Sequence, residues 1–373
     1  MGNTLLVENC AAFASQAIES SSVKEFKSTK IFTPMDLSVD GSMENVCKEV
    51  FSRLDSRKFS FFAFSSKEDY SVTHAHLIKV SKWSTPETPN SVRAAGKLLC
   101  YLSHFSSVPP SILNTISMPQ HVVFRQFRRK DAHVHTFHGV PIMSWSAYLS
   151  GKILSKNADV VISVSKYCAR LVKYCYNVDS RIIYNGVDTK FFAPQDHYNN
   201  RLRILFVGRY RRIKRPWYVI KLAKEFPQCD FVLYGLDYPL GPMLRDLSRN
   251  LTNVKINSFL PHEEMRDVYT NSDLFLDPSV FEGFSLAMLE AAASGLPLLC
   301  SNAASFPEFV EHGTEGLLFN NYKEARESLS YLIEDENMRK VFSRNARRKA
   351  MAFDWSVAAE YYSSLYTELS QKI

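Results

Sequence analysis

The chain has 373 residues, 46% hydrophobic and 22% charged, with a formal net charge of +7. That length suits two domains of roughly 150–200 residues, and the composition excludes a disordered, collagen-like or low-complexity chain. No apolar run reaches the roughly 18–20 residues of a membrane span, and Glu8, Gln16 and Glu19 interrupt the start where a secretory leader needs an unbroken apolar stretch.

Residues 1–29 carry no readable chemistry, and the first strand is expected at Lys30–Met35. The turn Asp40-Gly41-Ser42 then opens a helix, Met43 to Leu54. Strands follow at Ala132–Phe137, ending on His138-Gly139, and at Ala158–Val164, with a helix starting near Ser165. A short strand at Arg181–Tyr184 closes on the turn Asn185-Gly186-Val187-Asp188. After a polar linker, Ala193 to Asn200, a second block alternates in the same way. Its strands are expected at 202–207, 230–234, 253–257, 273–276 and 296–300, and its helices at 215–226, 241–250, 262–271 and 285–294. The strands are continuous apolar runs, as in parallel sheets covered on both faces. Two such blocks predict an α/β chain of two Rossmann-like, doubly wound domains, 30–195 and 200–352, facing a central cleft. A last amphipathic helix within 353–373 is expected to pack back on the first domain. Between these elements, residues 60–130 give no clear pattern.

Seven scattered cysteines (Cys10, Cys47, Cys100, Cys168, Cys175, Cys229, Cys300) contain no CxxC pair. They fit neither a zinc site nor a disulfide framework and predict a reducing, cytoplasmic compartment.

The strongest chemical signal is Pro278-Ser279-Val280-Phe281-Glu282-Gly283-Phe284-Ser285-Leu286-Ala287-Met288-Leu289-Glu290-Ala291. A strand ends near Leu276, and a helix starts at about Ser285. The glycine admits a ligand close to the backbone, and the amides of Phe284, Ser285 and Leu286 make an anion site suited to a diphosphate. Glu282 precedes the helix and Glu290 lies inside it, so two carboxylates can accept hydrogen bonds from paired hydroxyls, as on sugars. The second signal is Val207-Gly208-Arg209-Tyr210-Arg211-Arg212-Ile213-Lys214-Arg215-Pro216. Here Arg209 and Lys214 follow a strand and can neutralise a departing nucleoside diphosphate. The pattern is neither GxxxxGK[ST] nor GxGxxG, which disfavours a P-loop ATPase or an NAD enzyme. Two further basic clusters occur: Arg125, Arg128, Arg129 and Lys130, and the helically spaced Arg339 to Lys349. RNA-binding strand signatures are absent, so no nucleic-acid partner is expected.

Both motifs, in this order and spacing, resemble the donor domain of GT-B glycosyltransferases, specifically glycosyltransferase family 4. The resemblance runs from about Lys30 to the terminal helix, and its most specific element is the pair Glu282 and Glu290. Asn185-Gly186-Val187-Asp188, Phe306-Pro307-Glu308 and His312-Gly313-Thr314-Glu315-Gly316 also resemble family segments. The resemblance implies a retaining, metal-independent hexosyltransferase, without a cofactor, acting on a UDP- or GDP-sugar and a glycan or glycolipid acceptor. In it the donor domain is 200–352 and the acceptor domain 30–195. Arg209 and Lys214 hold the diphosphate, and Glu290 the ribose hydroxyls. Glu282 acts at the sugar with Gly283 and the amides of Phe284, Ser285 and Leu286. Gly41 lets the first-domain loop close, His138 contacts sugar or acceptor, and Glu308 joins the donor site. Three positions depart from the family: Asp40 and Ser285 replace glycines, and Arg215 follows the loop lysine where glycine is frequent. An epimerase or hydrolase on the same fold, or a degenerate binding protein, are the alternatives. A glycolipid acceptor would bring the Arg125–Lys130 cluster to an anionic membrane surface.

Overall fold

The computed structural model describes residues 28–38, 41–67, 70–73, 75–79, 111–140 and 144–371, so Asp40 and most of the N-terminal extension lie outside the described residues. Seven parallel strands form the first sheet: β1 (Thr29–Asp36), β2 (Phe59–Ser65), β3 (Ala75–Lys79), β4 (Ile112–Ile116), β5 (His133–Phe137), β6 (Val160–Ser163) and β7 (Arg181–Ile182). Their order is β3-β2-β1-β4-β5-β6-β7. The central strands β4, β5 and β6 are buried throughout, whereas edge strand β3 alternates between partly buried and exposed positions. Continuous apolar runs therefore sit where both faces are covered.

Alternation of side chains sends neighbouring residues to opposite faces. Ile31, Ile112, Val134 and Ile162 join one core with helix α1 (Ser42–Arg53). Their neighbours Phe32 and Leu113 pack with Phe124 on the other face, where Val161 packs with Cys168 and Val172. That second face carries α2 (Pro119–Phe127), α3 (Trp145–Lys156) and α4 (Lys166–Tyr176). These helices follow β4, β5 and β6 as the sheet grows outward in one direction, so right-handed crossovers set all three on the same side.

The second sheet comprises β8 (Arg203–Val207), β9 (Asp230–Gly235), β10 (Val254–Ser258), β11 (Leu274–Asp277), β12 (Leu298–Ser301) and β13 (Gly316–Phe319). All pair in parallel in the order β10-β9-β8-β11-β12-β13. Helices α5 (Trp217–Glu225), α6 (Gly241–Ser248), α7 (His262–Thr270) and α8 (Leu286–Ala293) interleave with them. Short α9 (Phe306–Phe309) precedes β13, and α10 (Tyr322–Glu334) and α11 (Glu336–Ala350) follow it. The helix expected from 215 begins two residues later. A 3-10 turn at Arg212–Lys214 ends on Arg215 in the left-handed region (φ 47°), and Pro216 then starts α5.

The final helix, α12 (Trp355–Ser370), buries Trp355, Tyr362, Leu365, Tyr366 and Leu369 in the first-domain core. Each large side chain buried there contributes roughly 1.5–3 kcal/mol. The return is fixed at its start. Asp354 accepts from the Ser356 amide at 2.9 Å and from the Thr189 hydroxyl at 2.6 Å. Gly186 is required beside it, because a Cβ would lie 2.7 Å from the Trp355 backbone.

Candidate active site

In an open doubly wound sheet, ligands bind beyond the carboxyl ends of the strands where the order reverses. In the second sheet that point lies between β8 and β11, and the two loops singled out in the sequence leave these two strands. The Gly208–Lys214 loop follows β8 and the Pro278–Ser285 loop follows β11.

The two loops meet. The Lys214 ammonium forms an ion pair with the Glu282 carboxylate, both side chains being less than a fifth exposed. Its aliphatic chain crosses Gly208, where a Cβ would approach within 3.6 Å. Behind the pair, Asp277 ends β11 fully buried, and its Oδ1 accepts from the Ser279 amide at 3.0 Å. Oδ2 has no hydrogen-bond partner among the described residues. Burial pushes the Asp277 carboxyl up, against the pull of the Lys214 charge and the Ser279 hydrogen bonds. Burial likewise pushes Lys214 down, Asp277 acts against this, and Arg209 adds to the lowering. The site thus holds Arg209 and Lys214, partly dehydrated, with Glu282 and Asp277 as internal counterions, a setting in which an anion that displaces a carboxylate interacts strongly.

Ser285 caps α8 by accepting from the Met288 amide at 3.3 Å. Phe284 is buried and packs on Tyr184 and Phe353, which leaves the backbone of this corner, rather than the ring, for a ligand. One turn inside α8, the Glu290 Oε2 accepts from the Tyr269 hydroxyl at 2.7 Å. Burial raises the Glu290 carboxyl, and His262 and the Tyr269 hydrogen bond oppose the rise. Tyr269 is fully buried on α7, so its ring fixes the hydroxyl in place.

The first domain closes directly on this corner. Gly283 lies against the His138 carbonyl, and a Cβ there would overlap its oxygen. Phe281 reaches across to Tyr167, with ring centroids 6.1 Å apart, and covers Gly139. The His138 ring borders a small cavity with Thr33, Asn114 and Thr136, and burial lowers it to about 4, so it is a neutral imidazole near pH 7. Gly41 precedes α1, with the Glu44 carboxylate occupying the space where its Cβ would stand. That carboxylate also offsets charge on Arg209 across the cleft.

Glu308 is positioned elsewhere. Its two oxygens accept from the Lys166 amide at 2.8 Å and the Tyr167 amide at 2.5 Å, and the Tyr184 hydroxyl donates to it at 3.0 Å. It therefore binds the N-terminus of α4 in the first domain and ties the two domains together, instead of facing Lys214. Favourable anion binding at a helix N-terminus explains the contact. The sequence reading missed Tyr269, Asp277 and Glu44. Only Asp277 carried a signal, an acid ending the apolar run Leu274-Phe275-Leu276.

Two family models match the chain: Glycosyltransferase Family 4 over residues 43–191 and Glycosyl transferases group 1 over residues 187–349. Among curated proteins, the D-inositol 3-phosphate glycosyltransferase of Corynebacterium kroppenstedtii is 27% identical over 281 residues, covering 64% of this chain and 62% of that protein. The match thus spans less than two thirds of that relative. In structure, the chain is similar to a sucrose-phosphate synthase from Thermosynechococcus elongatus, with a TM-score of 0.81 at 19% identity, over 92% of this chain and 100% of that one. It is also similar to Anabaena HepE in complex with UDP and glucose, with a TM-score of 0.74 at 16% identity, over 91% of this chain and 100% of that one.

Proposed function

This chain belongs to the GT-B glycosyltransferases of the family 4 type, and we propose that it transfers a sugar from a UDP- or GDP-sugar to a glycan or glycolipid acceptor, with retained configuration and no metal ion. The observation that carries the reading is the Lys214–Glu282 pair beside Arg209 and the start of α8. In the proposed reaction the donor diphosphate replaces Glu282 on Lys214. Glu282 is then released to accept hydrogen bonds from the sugar hydroxyls. Arg209, Lys214 and the amides of Phe284, Ser285 and Leu286 meet the charge that develops as the nucleoside diphosphate departs. These fixed charges supply what a bound cation supplies in other phosphate-leaving reactions.

Glu290 takes the ribose hydroxyls, oriented by Tyr269. The acceptor enters from the first domain, where neutral His138 can hydrogen-bond but not carry charge at neutral pH. Retention follows if the acceptor hydroxyl attacks from the face the phosphate leaves and passes its proton to that phosphate. The donor is a cytoplasmic metabolite, so the proposal carries a cytoplasmic location. The five described cysteines are unpaired, in keeping with a reducing compartment.

Thermal shift with UDP, GDP, ADP and their sugar conjugates tests the reading, on wild type and Glu290→Ala. A ligand at 100 times its Kd stabilises by about 2.7 kcal/mol, a shift of a few degrees. One nucleotide family shifting wild type but not the variant supports the donor assignment. Product analysis by NMR with that donor then reads the anomeric outcome, in the presence of a chelator. Phosphorylated polyols belong among the acceptors assayed, given the name of the Corynebacterium relative. No nucleotide shift from a folded sample refutes the proposal.

A further inference from the structure

The helical layer over the second face of the first sheet has an outer surface that a water-facing helix does not need. On α3 the outward positions Trp145, Leu149, Lys152, Ile153 and Lys156 fall at i, i+4, i+7, i+8 and i+11, one continuous stripe. Trp145 is 74% exposed, Ile153 42% and Leu149 37%. The opposite side of α3 is already used, since Leu154, Gly151 and Ser155 are buried against the sheet. Apolar residues thus occupy both faces, and one face is uncovered among the described residues. On the adjoining α4, Tyr174 is 88% exposed and stands one turn from the exposed Arg170.

Charge selects the partner. Helices α3 and α4 carry Lys152, Lys156, Lys166, Arg170 and Lys173 and no Asp or Glu, and only Lys173 meets an acid just beyond them, Asp179 at 2.8 Å. A second copy of this face would bring like charges together. Nucleic acid offers phosphates but leaves the aliphatic Leu149 and Ile153 unmatched. Indole and aliphatic groups interleaved with lysines match the boundary of a bilayer, where rings and chains enter the headgroup region and ammonium groups meet anionic lipids.

We propose that the outer face of α3, with the adjoining part of α4, docks the protein on an anionic membrane surface. No described helix is long and apolar enough to cross a membrane, so the contact is peripheral. The Arg125–Lys130 cluster expected to do this is only partly available. Arg125 donates to the carbonyls of Arg128 and Asp131 at 2.8 and 2.9 Å, and Arg128 pairs with buried Asp131 at 2.5 Å. Those guanidiniums close the α2–β5 turn. Trp145 begins α3 just beyond the carboxyl end of β5, the end that carries His138 and the cleft. Docking on α3 therefore brings the acceptor side of the cleft beside the lipid headgroups. This extends the glycolipid-acceptor reading.

Co-sedimentation of the full chain with phosphatidylcholine vesicles, with and without phosphatidylglycerol, tests it. Binding is expected only to the anionic vesicles and should be lost in about 1 M salt, where the Debye length is ~3 Å. Lys152→Gln with Lys156→Gln should weaken partitioning about 30-fold, from roughly 1 kcal/mol per lysine. Trp145→Ser, Leu149→Ser and Ile153→Ser together should weaken it about tenfold or more, and these exposed changes leave the core intact. Arg344→Gln with Arg348→Gln, exposed on α11, removes the same charge and should change little. Equal binding to neutral vesicles, no binding at all, or the same loss in the α11 variant as in the α3 lysine variant overturns the proposal. Transfer to a soluble acceptor without vesicle binding refutes only the docking surface. Vesicle binding without nucleotide-dependent transfer refutes only the activity.

Discussion

Lowering the pH from 7 to 4 should destabilise the chain through its first domain, because His121 on α2 and His133 and His135 on β5 are fully buried there as neutral rings. Their partners select the tautomers. The Asn157 carbonyl accepts from His133 Nδ1 at 3.2 Å, and the Thr115 hydroxyl donates to His133 Nε2 at 2.7 Å. Thr115 Oγ1 then accepts from His135 Nδ1 at 2.8 Å, and the Ser117 hydroxyl donates to His135 Nε2 at 3.2 Å. His121 is satisfied in the same way, accepting from the Ile116 amide at 3.0 Å and donating to the Pro34 carbonyl at 2.9 Å. An added proton puts an N–H against the hydroxyl that now donates to His133 or His135, and only His121 has a carbonyl, that of Ile116 at 3.0 Å, placed to accept it. Burial lowers His121 and His133 from 6.5 to about 4, and holds His135 well below its ordinary value. Between these limits the unfolded chain binds more protons, so stability is fully present above pH 6.5 and is lost as pH falls towards 4. Each such ring costs about 3 kcal/mol by pH 4. Two of them remove about 6 kcal/mol, comparable with the 5–15 kcal/mol that holds most proteins folded. Urea midpoints across this range read the loss, and at pH 5.5 each of these rings, and His138 with them, should take up close to one proton on unfolding. His121→Asn keeps an acceptor for the Ile116 amide but titrates nothing, so uptake should fall by about one. Uptake near zero, or stability that is flat or rising from pH 6.5 to 4.5, refutes neutral buried imidazoles.

At the candidate site, Tyr269→Phe removes the hydroxyl that fixes Glu290 and should cost about 1.5–3 kcal/mol of affinity for the nucleoside diphosphate that binds. Calorimetry with its 2′,3′-dideoxy counterpart should show no comparable loss, and equal losses would contradict a ribose role for Glu290. Glu282→Gln should shift two readings in opposite directions. Lys214 loses its competing carboxylate, so the bare nucleoside diphosphate binds about 3–10-fold tighter while sugar transfer falls, consistent with a charged contact of ~1 kcal/mol. Weaker binding of the diphosphate would show that the pair is not opened by the donor. Glu308→Ala should lower thermal stability by about 1–3 kcal/mol through loss of the α4 N-terminal contacts, with nucleotide Kd unchanged. A large loss of nucleotide affinity would instead return Glu308 to the donor site.

The second domain was readable because its signals are local. A strand ending on Gly208-Arg209 and a helix beginning at Ser285 announce themselves within a dozen residues, and burial on both faces makes the strands unbroken. The first domain was harder to read. Strands β2 and β4, and helices α2 and α3, lie in the stretch around 59–156, where Phe-, His- and Ser-rich segments mimic no single period. His133 and His135 had no role readable in the sequence, because only the fold brings Thr115 and Asn157 against them. The contacts of Glu308 were hidden for a similar reason, since its partners are 141 and 142 residues earlier in the chain. A motif gives the residue but not which domain its side chain will face.

The contacts that join the domains use the same chain segments as the candidate chemistry, and this couples closure to the site. Gly283 sits between the Glu282 pair and the His138 carbonyl, so any opening of the cleft moves the loop that holds Glu282. Phe281, one residue before Glu282, is pinned between Gly139 and Tyr167. Tyr167 in turn begins the helix whose amides Glu308 holds. These contacts run continuously from Glu308 through Tyr167 and Phe281 to Glu282, with no flexible linker between the domain latch and the carboxylate bonded to Lys214. A donor that displaces Glu282 from Lys214 must therefore act on closure as well, because the displaced carboxylate and the clamped aromatic ring belong to one short loop.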